Sequence, residues 1–256
     1  MKPDIVVDVG NSRIKWGLCS KNGIEEIASL PLDDPAMWER TLQFWDTTAG
    51  HSKRGPLRWA VSGVQPQWRD RLVDWLHQRG HTVLAINDYY QLPIVVQVDS
   101  PEKVGIDRLF NAVASRSRAL RSHSLIIDAG SAVTVDWVDA SSTFRGGAIF
   151  PGFNLMTRAL NEHTALLPLV QVWHHANPSL PGLSTEAAIK AGVFWAVAGG
   201  IKALIRQLAA QARVDRRKVF LTGGDAKLLA PVLDAEVIVW PEMTLEGIRL
   251  TAEAQP

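Results

Sequence analysis

The stretch Leu125-Ile-Ile-Asp-Ala-Gly-Ser-Ala-Val-Thr-Val-Asp136 decides how the rest of the chain is read. Its apolar opening, Leu125 to Ile127, has the character of a buried strand. Asp128 follows, the chain turns at Gly130, offers Ser131 and leaves through the β-branched residues Val133, Thr134 and Val135. These residue types suit a phosphate tail and its cation. Glycine lets main-chain N–H groups approach phosphate oxygens, and a carboxylate holds a cation or its waters. The same arrangement occurs earlier, at Ile5-Val-Val-Asp-Val-Gly-Asn-Ser-Arg-Ile-Lys-Trp16. One copy alone is an ordinary β-turn, because Asp, Gly, Asn and Ser are turn formers. Two copies, each set between two strands, favour phosphate binding and suggest two related half-domains around a nucleotide cleft.

The chain has 256 residues, enough for one large domain or two modest ones. Its formal net charge of +1 gives no electrostatic case for nucleic acid or an anionic membrane. A charged small substrate remains compatible, since a local group of Arg and Lys can serve it. Cys19 is the only cysteine, which excludes an internal disulfide and a thiolate metal cluster. The first apolar strand is too short for a signal segment, and no apolar run approaches the ~20 residues of a membrane span. A soluble, cytoplasmic protein is expected.

Along the chain, strands are expected at Ile5–Val7, Ile14–Cys19 and Ile24–Leu30, with Asp8–Ser12 as a turn and Lys21-Asn22-Gly23 as a hairpin signal. Asp34-Pro35 opens a helix, and His51–Pro56 is a loop. A strand Leu57–Val61, a helix Gln65–Gln78 and a strand Thr82–Ile86 follow. Trp68, Leu72, Trp75 and Leu76 mark the buried side of that helix. Asn87–Glu102 reads as a loop, and a helical pattern begins near Val104 and runs through Leu120. The second half repeats strand–turn–strand over 125–139, then a strand Gly146–Phe150 and a helix to about Leu160. A Pro-bounded loop with His174-His175 precedes a long helix capped by Ser184. A strand ending in Thr222-Gly-Gly-Asp225, a helix, a strand Val237–Val239 and a terminal helix complete the chain. The alternation predicts an α/β protein with two sheets, divided into residues 1–118 and 119–256.

Each candidate motif also has a plain reading. Lys15 can reach phosphates from the first loop, or be a solvated strand residue. Gly105-Ile106-Asp107-Arg108 falls at a helix start, where an acidic residue is favoured electrostatically. In a phosphoryl transferase, Asp107 can accept the proton of an attacking hydroxyl and Arg108 can bind a substrate carboxylate. Gly146 to Gly152 is either turn punctuation or a wall where backbone meets substrate. Thr222-Gly223-Gly224-Asp225 is either a strand–helix turn or an adenosine contact. The histidines show no metal spacing, and the glycine-loop signatures of dinucleotide and P-loop sites are absent.

Taken together these residues resemble the type III pantothenate kinase family, also called the Bvg accessory factor family. The resemblance rests on Asp8-Val-Gly-Asn-Ser12, Val61-Ser-Gly-Val-Gln-Pro66, Gly105-Ile-Asp-Arg108, Asp128-Ala-Gly-Ser-Ala-Val-Thr134, Gly146-Gly-Ala-Ile-Phe-Pro-Gly152, Thr164-Ala-Leu-Leu-Pro168, Thr185-Glu-Ala-Ala-Ile189 and Thr222-Gly-Gly224, in that order. It implies a duplicated sugar kinase/actin-like (ribonuclease H-like) fold with mixed sheets, and ATP-dependent phosphorylation of pantothenate, the first step of coenzyme A synthesis. By the same resemblance Asp8, Gly10, Asn11, Ser12, Lys15 and Ser131 bind ATP, and Asp107 is the catalytic base. Val98, Gly105, Ile106, Asp107, Arg108 and Thr185 line the pantothenate site, Thr185 coming from a partner subunit of a homodimer. Asp128 holds a monovalent cation, K+ or NH4+, while Mg2+ accompanies ATP. Two places depart from the family pattern: Ser131 stands where Thr is usual, and Val98 where Tyr is common. Two other functions are compatible with the sequence: a non-catalytic regulatory relative, and a kinase for another small hydroxy acid.

Overall fold

A tight hairpin turn at Ser20–Gly23 sets the register of the first sheet. Ser20 donates its backbone N–H to the Gly23 carbonyl at 2.8 Å, and Gly23 takes the positive φ (+130°) that the turn requires. The computed structural model describes residues 1–48, 55–171, 178–212, 217–233 and 236–255. The expected His174-His175 loop, and residues 51–54 of the His51–Pro56 loop, lie outside the described residues.

The chain divides into two compact units: Met1–Ser117 with Glu242–Pro256, and Arg118–Pro241. The sequence division placed everything after residue 118 in one half. The terminal helix instead returns to the first unit.

In the first unit β1 (Ile5–Val9), β2 (Ile14–Cys19) and β3 (Ile24–Leu30) form an antiparallel meander. Helix α1 (Pro35–Thr48) follows, its start held by the Asp34 carboxylate accepting the Met37 N–H at 2.9 Å. Strand β4 (Arg58–Gly63), helix α2 (Pro66–His77) and strand β5 (Thr82–Ala85) then add parallel strands beside β1. The order is β3-β2-β1-β4-β5. Short turns at Tyr89–Gln91 and Pro101–Lys103 flank a two-residue strand, β6 (Val95–Val96), and lead to α3 (Ile106–Arg118). Leu72 and Leu76 are fully buried beneath α2, while Trp68 and Trp75 pack half-buried at its edge. The core is rich in tryptophan: Trp16 meets Trp59 edge-on at 5.0 Å, and Trp38 meets Trp75 edge-on at 5.7 Å.

The second unit repeats the plan. Strands β7 (His123–Ala129), β8 (Ala132–Val138) and β9 (Thr143–Pro151) form the meander, followed by α4 (Phe153–Glu162) and α5 (Thr185–Ala212). Strand β10 (Arg217–Thr222), the short α6 (Ala226–Leu229) and β11 (Val237–Val239) add parallel strands beside β7. Within this unit the order is β9-β8-β7-β10-β11, which repeats the order of the first unit element for element. Helix α7 (Met243–Ala254) packs on β1, β2 and β4 of the first unit. There Gly247 lies against the Phe110 carbonyl, where a side chain would not fit.

One expectation is corrected. Asp8 is not part of the turn: β1 runs on to Val9 because Asp8 and Val9 pair with Lys15 and Ile14. Helix α5 is long and apolar enough by composition to cross a membrane, with a mean hydropathy of 1.5 over its most apolar window. Its Val193, Phe194, Val197, Ile201 and Ile205 are buried in the second core, which accounts for that composition.

Candidate active site

The first loop is built by pairing. Asp8 lies in β1 at 9 % exposure and has two register partners, Lys15 on the antiparallel side and Ser62 on the parallel side. Directly opposed residues of neighbouring strands share a face of the sheet, so the three side chains stand side by side. Gly10 donates its N–H to the Arg13 carbonyl at 3.0 Å and closes a loop that leaves Asn11 and Ser12 exposed. Asn11 accepts a 3.1 Å hydrogen bond from the Gln65 side chain. Ser62 is engaged elsewhere, its hydroxyl donating to the Ile86 carbonyl at 2.6 Å.

The second loop has the same frame with two residues fewer between its strands. Asp128, half-buried in β7, has Thr134 and Thr222 as its register partners. Gly130 donates to the Ala132 carbonyl at 3.0 Å, which leaves Ser131 exposed at the tip. The parallel-side hydroxyl again turns to a carbonyl, Thr222 Oγ1 lying 3.5 Å from the Pro241 oxygen. Two further pairs match between the units. Gly63 (φ +150°) lies against Val9, and Gly223 (φ +93°) lies against Ala129; a Cβ at either would overlap the carbonyl oxygen behind it. Val64 donates to Val9 and Asp225 to Ala129, each at 3.0 Å. Ser62-Gly63 and Thr222-Gly223 are therefore the same structural piece. Both motifs are visible in the sequence, but only their common place beside the Asp strand identifies them as a pair.

Thr134 stands opposite Asp128 as Lys15 stands opposite Asp8. Its Oγ1 is buried and has no hydrogen-bond partner among the described residues. Gly152 closes the other side of the second loop: it donates to the Ser131 carbonyl at 3.0 Å, and a Cβ there would come within 2.8 Å of that oxygen. The Gly146–Gly152 segment thus backs the loop rather than standing apart from it. Below Thr222-Gly-Gly, burial pushes the Asp225 carboxyl up to about 6. Among the described residues, no group of three or more His, Cys, Asp and Glu is placed to hold a metal.

Gly105-Ile106-Asp107-Arg108 begins α3. Arg108 donates its N–H to the Gly105 carbonyl at 3.1 Å and to the Asp107 carboxylate at 2.9 Å. The carboxylate folds back over Gly105, where a Cβ would sit only 2.6 Å from its Oδ1. Glycine at 105 thus leaves room for the acid. Leu109, Phe110 and Val113 anchor the helix in the core, so the half-buried Asp107 and Arg108 are presented from a rigid element. Tyr89 and Tyr90 line a cavity of about 150 Å³ with Val104, Ile106 and Leu109. Val98 is half-buried and not among the residues of that cavity. Thr185 is exposed at the first turn of α5. Ser184 caps that helix by accepting the Ala187 N–H at 3.2 Å. Thr185 edges an apolar groove of about 770 Å³ formed by Met156, Leu160, Leu167, Ile189 and neighbours.

The model of the type III pantothenate kinase family matches residues 5–207. The chain belongs to that family. Relatives named type III pantothenate kinase include one from Porphyromonas gingivalis (strain ATCC 33277), 31% identical over 255 residues and spanning 99% of both chains. Another, from Rhodopirellula baltica, is 42% identical and covers 90% of both. Among solved structures, a candidate 2-dehydro-3-deoxygalactonokinase of Sinorhizobium meliloti superposes with a TM-score of 0.58 at 12% identity over 98% of both chains. A glucokinase from an Antarctic psychrotroph does so at 0.50 with 11% identity over 100% of both. These likenesses place the family member in the sugar kinase/actin-like fold, in agreement with the internal repeat.

Proposed function

We propose that this chain is the kinase that opens coenzyme A biosynthesis, transferring the γ-phosphoryl of ATP to the primary hydroxyl of pantothenate. The observation that carries the reading is the Gly105–Arg108 helix start, in a family member that retains Asp8 and Asp128 in two equivalent strand–turn–strand frames. The pantothenate hydroxyl attacks the γ-phosphorus in line. A new O–P bond forms, the bond to the β–γ bridging oxygen breaks, the hydroxyl proton passes to Asp107, and ADP leaves. Arg108 pairs with the substrate carboxylate. Gly105 and Ile106 shape the wall beside it, and Thr185 of a second subunit completes it in a homodimer. Asp8, Gly10, Asn11, Ser12, Lys15 and Ser131 bind ATP, which Mg2+ accompanies. Catalysis on this scheme is positioning and charge stabilisation.

Asp128 is the residue for a monovalent cation, K+ or NH4+, which when bound supplies positive charge beside the phosphates. Oxygen donors suit such an ion, and the buried, unpartnered Thr134 hydroxyl opposite Asp128 fits one. The protein acts in the cytoplasm. A second reading, a kinase for another small hydroxy acid, is favoured by aliphatic Val98 and by the separate cavity that holds Tyr89 and Tyr90. A non-catalytic regulatory role fits less well, because Asp8, Asp107, Arg108 and Asp128 are all retained.

The test is ADP release by the purified chain with ATP, Mg2+ and K+, with and without pantothenate. Pantothenate-dependent release is expected. Release only with a different hydroxy acid would move the assignment to the second reading, and no acceptor-dependent release would remove the kinase assignment.

A further inference from the structure

The two Asp frames differ in the residue that stands opposite the Asp on its antiparallel side. In both units the Asp is flanked on its parallel side by a hydroxyl already turned to a carbonyl, Ser62 to Ile86 and Thr222 to Pro241. On the antiparallel side the first unit places Lys15 opposite Asp8. The second unit places Thr134 opposite Asp128. The Thr134 hydroxyl, on the same face of the strand pair as Asp128, is buried without a partner among the described residues. Buried hydroxyls in folded proteins nearly always find one, because an unmade hydrogen bond away from water is costly.

We infer that Thr134 is a ligand of the monovalent cation, its Oγ1 and the Asp128 carboxylate together taking K+ or NH4+. This deepens the proposed function and rests on it. An alkali cation accepts an oxygen lone pair, and an ammonium ion donates a hydrogen to it. Either satisfies the orphaned hydroxyl and neutralises Asp128 beside the nucleotide phosphates.

Thr134→Val keeps the shape of the side chain and removes the donor atom; Thr134→Ser keeps the donor. Two readouts are taken for wild type and both variants at constant ionic strength, with choline replacing K+. One is the rise in melting temperature on adding KCl in the presence of Mg2+ and a non-hydrolysable ATP analogue. The other is the K+ concentration for half-maximal pantothenate phosphorylation. Wild type and Thr134→Ser are expected to show the K+-specific melting shift. Thr134→Val should lose it and need on the order of tenfold more K+ or beyond. An equal melting shift and equal half-activation in Thr134→Val would overturn the inference, as would a wild type that turns over pantothenate with no K+ effect in either readout. In both cases pantothenate turnover by wild type leaves the kinase assignment standing.

Discussion

Gly223 lies so close to Ala129 that a Cβ on it would overlap the Ala129 carbonyl oxygen. The relation is repeated by Gly63 and Val9. Each glycine ends a parallel strand with a positive φ and lets the following turn close beside the Asp-bearing strand. Gly223→Ala and Gly63→Ala are therefore each expected to destabilise the fold by about 2–5 kcal/mol, from overlap and left-handed strain combined. Urea denaturation of each variant measures this. Gly224, whose missing Cβ would meet nothing within 4 Å, is the control, and Gly224→Ala should stay within about 0.5 kcal/mol of wild type.

The register that opposes Lys15 to Asp8 opposes Thr134 to Asp128. Thr134→Lys would tether an ammonium at the second position. Its initial rate with pantothenate is expected to vary less than about twofold between KCl and choline chloride, where wild type should respond several-fold. Initial rates at fixed ionic strength decide the matter.

The alternation of strands and helices was legible because each element carries its own local signal. Asp34-Pro35 and Ser184 cap helices, Asn22-Gly23 closes a hairpin, and Leu125 to Ile127 form an unbroken apolar run. The two Asp-x-Gly motifs announced the duplication for the same reason. What stayed hidden depends on pairing between distant segments. Nothing in the sequence near Asp8 says that its strand continues through it, since that follows from the Lys15 and Ile14 register. The return of α7 to the first unit rests on Gly247 against Phe110 and on the buried 2.9 Å bond from Thr244 to Asn111, contacts between segments more than 130 positions apart. The orphaned Thr134 hydroxyl is likewise a property of three strands at once. Threonine in a β-branched run gives no such signal.

Asp225 supplies a pH dependence. Burial raises its carboxyl from an ordinary value near 3.8 to about 6. The folded chain therefore holds this proton more tightly than the unfolded chain, and stability falls as pH rises from about 4 to about 6, then levels. Asp225→Asn removes that loss. Because the side chain is only half-buried, the variant should gain roughly 1–2 kcal/mol over wild type at pH 7.5 and little at pH 4. Denaturation midpoints across that range give the answer. A gain of the same size at both ends would contradict the burial account.

Cys19 offers a clean chemical probe as the sole thiol. Burial pushes it up to about 12, and the nearby carboxylates of Glu246 and Glu253 add to the rise against the opposing pull of Arg249. The folded protein at pH 8 should react with a thiol-specific disulfide reagent at least about a hundredfold more slowly than the unfolded chain, which should titrate one thiol. Fast labelling of the folded chain would contradict its placement.

The account turns on Asp107, whose carboxylate folds over Gly105 at the start of α3. The most direct measurement compares wild type with Asp107→Asn in pantothenate-dependent ADP release, alongside binding of a non-hydrolysable ATP analogue. The account predicts that kcat falls by about 10²- to 10⁴-fold while analogue affinity is kept. An Asp107→Asn enzyme that turned over pantothenate at the wild-type rate would contradict it.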